Sequence, residues 1–65
     1  MAFHFAKLTL SNGKPVYVNG DLVAAIYQRN NDTLVQFVGQ DYNYIYVKET
    51  VEMVDKLIYE AMRYE

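Results

Sequence analysis

The sequence predicts an α+β fold, an antiparallel β-meander of about five strands with one C-terminal helix packed on one face. Three observations lead there. Residues 42–47 alternate with the period of a strand: Tyr42, Tyr44 and Tyr46 fall on one side, Ile45 and Val47 on the other. Directly after them the period becomes helical. Val51, Val54, Leu57, Ile58, Ala61 and Met62 form one apolar stripe, with Glu52, Asp55, Lys56, Glu60 and Arg63 between them. Upstream, turn-forming Asn, Asp and Gly cut the chain into short runs rich in β-branched residues. The helix stripe has to be covered, and those runs are what can cover it.

Residues 3–10 form the first expected strand. Ala6, Leu8 and Leu10 share a face with His4, while Phe3 and Phe5 share the other with Thr9. The two apolar sets are out of phase, so a bulge or a start near Lys7 is expected. Asn12-Gly13 between strand-like runs predicts a hairpin closed by a type I′ turn, both central residues at φ > 0. The return strand, residues 14–18, contains Pro15, which donates no ladder bond and belongs at a first or edge position. Val16 and Val18 then face the core and Tyr17 faces out. Asn19-Gly20-Asp21 is a second turn. Residues 22–28 are expected as a strand between antiparallel neighbours, and Ala24 and Ala25 fit that state least well. Asn30-Asn31-Asp32 makes the next hairpin tip and residues 33–38 the fourth strand. Gly39-Gln40-Asp41 is a short turn into the fifth strand, residues 42–48. Thr50 is placed to cap a helix over residues 50–63, its hydroxyl accepting from an otherwise unpaired amide. Glu49 and Glu52 lie near the positive start of that helix. The helix covers one face of the sheet and leaves the other without cover.

Size and composition narrow the function classes. The chain has 65 residues and is 52% hydrophobic, so residues 1–65 are read as one domain with one core. A chain this short buries only about 60% of its unfolded surface, and small domains usually need a disulfide, a metal or a partner chain. Cysteine is absent, which excludes disulfides and thiolate metal sites. His4 is the single histidine and builds no zinc site without carboxylates. Good packing or self-association remains. Lack of cysteine permits either redox compartment, and the expectation is cytoplasmic. The first residues lack the basic start and long apolar core of a signal peptide, and no run approaches the roughly 20 apolar residues of a spanning helix. A net charge of −2 gives no general attraction to nucleic acid or anionic lipid.

Catalytic constellations are missing. Ser11 sits in a hairpin turn with only His4 available as a base, which makes no nucleophilic triad. Asp21, Asp32 and Asp41 fall in turns, where Asp is expected for its backbone hydrogen bonding. Gly13, Gly20 and Gly39 stand alone in turns, and none opens a phosphate-cradling loop. Asn31-Asp32-Thr33 has the form of an N-glycosylation sequon, which without a secretory signal is a chance match. No enzyme, cofactor or metal is expected.

Seven tyrosines and no tryptophan are the unusual feature. Tyr17, Tyr42, Tyr44 and Tyr46 are placed on the face opposite the helix, with Tyr27 as a further member. Three readings are open. Tyrosine favours strands and tolerates a half-wet surface. It also offers large contact area with a polar tip, and is enriched at protein contacts, with self-association and a foreign partner both allowed. The third reading is a nucleotide or single-stranded nucleic acid stacked on the rings. Against it, Lys7, Lys14, Arg29, Lys48, Lys56 and Arg63 are few and scattered.

Several runs resemble a known family. Leu8-Thr9, Asn12-Gly13-Lys14-Pro15-Val16-Tyr17-Val18-Asn19, Asp21-Leu22 and Ile26 look like small bacterial proteins of the flagellar FlbD/SwrD type. Asp32-Thr33, Val35 and Phe37 continue the likeness. So does Val47-Lys48-Glu49-Thr50-Val51-Glu52 with Val54 and Ile58, so that it spans about Leu8 to Ile58. The resemblance implies a non-enzymatic accessory of flagellar and swarming motility, with no catalytic residues. Tyr42-Asn43-Tyr44-Ile45-Tyr46 is richer in tyrosine than that family's glycine-containing turn and strand, and Phe3-His4-Phe5 is an added aromatic start. A phage-borne relative that binds a host protein fits those changes equally well. The expectation is a small interaction module that self-associates and binds through Tyr17, Tyr27, Tyr42, Tyr44 and Tyr46.

Overall fold

A computed structural model describes residues 5–39 and 43–63. The expectations resting on Phe3, His4, Gln40, Asp41 and Tyr42 lie outside the described residues. Five strands and a helix follow in order: β1 (Phe5–Thr9), β2 (Pro15–Asn19), a 3₁₀ turn (Gly20–Leu22), β3 (Val23–Arg29), β4 (Asp32–Phe37), β5 (Tyr44–Val47) and α1 (Val51–Met62). The α+β class, the antiparallel strands and the C-terminal helix are those that the patterning predicts.

The strands are divided between two sheets, β1-β2 and β3-β4-β5, each antiparallel. The division falls where Asn19-Gly20-Asp21 turns the chain. The Asn19 carboxamide accepts from the Asp21 amide at 2.9 Å and starts the 3₁₀ turn, so β3 leaves without pairing to β2. The two sheets meet elsewhere. Leu10 bridges Val47, the Ser11 amide donates to the Tyr46 carbonyl at 3.0 Å, and the Lys48 amide donates to the Thr9 carbonyl at 2.8 Å. The end of β1 therefore runs beside β5. Through that contact the two sheets lie side by side in the order β2-β1-β5-β4-β3, with β2 and β3 outermost among the described residues.

Two local expectations are corrected. The first hairpin forms, but its turn is not type I′. The Gly13 amide donates to the Leu10 carbonyl and the Leu10 amide to the Lys14 carbonyl, both at 2.8 Å, and Gly13 alone has positive φ, +90°. That is a three-residue loop with glycine in the left-handed bulge position. The Asn12 carboxamide accepts from the Lys14 amide at 2.9 Å, a bond that holds Asn12 at negative φ. Second, β1 pairs with β2 in unbroken register from Phe5↔Asn19 to Thr9↔Pro15. The out-of-phase Phe5 is simply exposed. The bulge lies in β3 instead, between Val23 and Ala25, at the two alanines that fit a strand least well. The β3-β4 hairpin closes at Arg29↔Asp32 around Asn30 and Asn31, with Asn30 at φ 56°, a conformation asparagine tolerates.

The core lies between the sheets and α1. Ala6, Leu8 and Val18 come from the first sheet, Val35 and Val47 from the second, and Val54 and Ile58 from the helix. Leu10, Val16, Val23, Ile26, Ile45 and Leu57 pack around them, partly buried. Helix α1 is capped as expected, the Thr50 hydroxyl accepting from the Met53 amide at 3.1 Å. Near its start, Val51, Glu52 and Asp55 stand beside Val23–Ile26 of β3. Near its end, Ile58 and Met62 lie against Gly20. The helix thus runs antiparallel to β3. A Cβ at Gly20 would stand 2.9 Å from Ile58 Cγ2 and 3.1 Å from Met62 Sδ, so this position is glycine because the helix approaches so closely.

Candidate functional site: the outward face of the second sheet

The register fixes which side chains share a face. Ile26, Val35 and Ile45 lie opposite one another across β3, β4 and β5 and point to the core. The next row, Tyr27, Leu34 and Tyr46, therefore points away from it. Ala25, Gln36 and Tyr44 form a second outward row, and Arg29 and Asp32 close the hairpin end. Tyr44 and Tyr46 are two apart on β5 and meet edge to face, ring centroids 5.7 Å apart and planes at 87°. Such a pair is worth about 1 kcal/mol beyond its buried area.

Leu34 decides the character of this face. It is only 3% exposed, although it lies on the side away from the helix and outside the main core cluster. Its neighbours in the row are Tyr27, 43% exposed, and Tyr46, half-buried. The register thus sets a tyrosine on each side of a buried leucine that lies outside the cluster packed by the helix. The result is a small apolar centre rimmed by phenols, with Tyr44 at 40% exposure beside it. Patterning anticipates the tyrosines but not Leu34. The signal was the parity of β4, where Leu34 and Val35 are both apolar and cannot both face the same side.

Tyr27, Tyr44 and Tyr46 are thus brought together. Tyr17 is not. It stands on β2 in the other sheet, opposite Lys7, and is 65% exposed. Tyr42 lies outside the described residues. At the hairpin end of the face, Leu10, Ser11, Asn12, Arg29, Asp32 and Tyr46 help line an open cleft of about 490 Å³. Its groups can donate and accept hydrogen bonds. Among the described residues, no group of three or more His, Asp or Glu side chains could hold a metal ion. Nor, among them, is any helix long and apolar enough to cross a membrane. No family model, curated protein or solved structure matches the chain.

Proposed function

We propose that this chain is a non-enzymatic protein-interaction module that self-associates and docks a protein partner on the tyrosine face of the second sheet. The observation that carries the reading is the buried Leu34 between Tyr27 and Tyr46, with Tyr44 set edge-on against Tyr46. The rings are already ordered by one another, so a partner does not have to immobilise them, and they offer apolar area with hydroxyl tips. The setting is the cytoplasm. The role is that of a motility accessory, as the resemblance to the FlbD/SwrD type implies, or of a phage-encoded modulator of a host protein.

The double variant Tyr44→Ser, Tyr46→Ser tests it. Far-UV circular dichroism should keep its native shape, while cross-linked partner recovered from the native host should fall by about tenfold or more. Unchanged capture together with unchanged assembly removes the reading. Quenching of tyrosine fluorescence by a short oligonucleotide, weakening steeply with salt, would instead put a single strand on the same rings.

A further inference from the structure

The two edges of the fold are not alike. Strand β2 starts at Pro15 and runs for 5 residues. Strand β3, at 7 residues the longest among the described residues, contains no proline or lysine, and the bulge that interrupts it lies near its start, between Val23 and Ala25. Its backbone pairing is fixed by the hairpin. A two-residue loop closes on a hydrogen-bonded pair, so Arg29, Tyr27 and Ala25 turn their amides and carbonyls to β4. Ile26 and Gln28 turn theirs the other way. Among the described residues no strand lies there. Beyond that margin is a groove of about 370 Å³, with Val23–Ile26 on one bank and Val51, Glu52 and Asp55 of α1 on the other.

From this we infer that β3 pairs with β3 of a second copy of the chain, antiparallel, about a two-fold axis at Tyr27. The inference rests on the self-association reading above and names the surface that performs it. The bulge between Val23 and Ala25 confines regular pairing to Ala25–Arg29, and Tyr27 is the centre of that segment. In this register Ile26 of each copy exchanges both backbone bonds with Gln28 of the other copy, which satisfies the groups that face outward. Tyr27 meets its own equivalent in a close, non-hydrogen-bonded pair. Ala25 falls opposite Arg29 of the second copy, and its methyl leaves room for the longer side chain. The row Tyr46-Leu34-Tyr27 then continues through the axis into the same row of the second copy. One tyrosine face becomes a doubled one, and a second copy adds buried area to a small fold that can form no disulfide.

Sedimentation of the full chain over a concentration series tests this. The wild type should approach twice the 7.6 kDa chain mass. Gln28→Pro removes an amide that β4 does not use and that the second copy does, so the monomer should keep its fold while the dimer dissociation constant rises on the order of tenfold or more. Ala25→Arg should weaken the dimer by setting like charges opposite each other, whereas Ala25→Glu, opposite Arg29 of the second copy and neutral Gln36 of its own, should tighten it. Hydrogen exchange gives a direct reading: the Ile26 and Gln28 amides should slow with rising concentration. A folded Gln28→Pro chain that dimerises like the wild type overturns the edge pairing and leaves self-association standing. A wild type that stays monomeric at millimolar concentration removes self-association, and the edge pairing with it.

Discussion

Glu49 stands at the entrance to α1, and its carboxylate accepts from the amide of Thr9, 40 positions earlier, at 2.9 Å. Burial pushes this carboxyl up, but the amides of Thr9 and of Glu49 itself and the Thr9 hydroxyl donate to it and together outweigh burial, so it sits below the ordinary carboxylate value. A carboxyl lowered on folding stabilises the fold fully above its unfolded value, about 4.3. That contribution is lost as pH falls through the lower folded value. Glu49→Ala should therefore cost about 1 kcal/mol at neutral pH, a figure kept small because the group is partly exposed. In urea titrations at a series of pH values, variant and wild type should converge at acid pH. Gly20 is the other residue with a clear cost of change. Gly20→Ala would press a methyl onto Ile58, which is buried and cannot swing aside as the end of Met62 can, and should lower stability by about 1–3 kcal/mol in the same titrations. Neither role could be read from the chain. Glu49 looked like an acid at a helix start and Gly20 like punctuation, because the partners of both are distant in sequence.

At the scale of elements, local chemistry was the better guide. The cap at Thr50 depends on residues within one turn, and it forms where the sequence places it. Thr50→Ala should cost about 1 kcal/mol and lower the thermal midpoint accordingly. The Asn12-Gly13 hairpin was legible as a hairpin and not as a turn type, since Asn-Gly serves both a two-residue loop and the glycine bulge of a three-residue one. With Gly13 at φ +90°, Gly13→Ala should destabilise by about 1 kcal/mol or more, through backbone strain rather than contact, because nothing lies within 4 Å of the added carbon. In β3 the paired alanines were the correct warning. They mark the point where the strand bulges and where the ladder to β4 shifts. The division into two sheets was hidden, because it depends on which strands end side by side and not on what any of them contains.

For the whole molecule, coupling of stability to concentration is the expectation that matters most. If two copies pair through β3, heating must separate them as well as unfold them, so the thermal midpoint should rise with chain concentration in scanning calorimetry. The Gln28→Pro chain should show no such rise. The parity of the tyrosines was visible in the sequence, and so was the choice between good packing and self-association that a short chain without cysteine leaves open. Invisible there was the gathering of Tyr27 with Tyr44 and Tyr46, and the separation of Tyr17 from them, since sheet order decides both. The seam where Glu49 meets Thr9 also bears on how the chain is made. Strand β1 leaves the ribosome before α1, so Ala6 and Leu8 are made well ahead of the cylinder that shelters them. Until α1 has emerged, the nascent chain carries a greasy strip without its cover, which is the interval in which a chaperone has most to offer it.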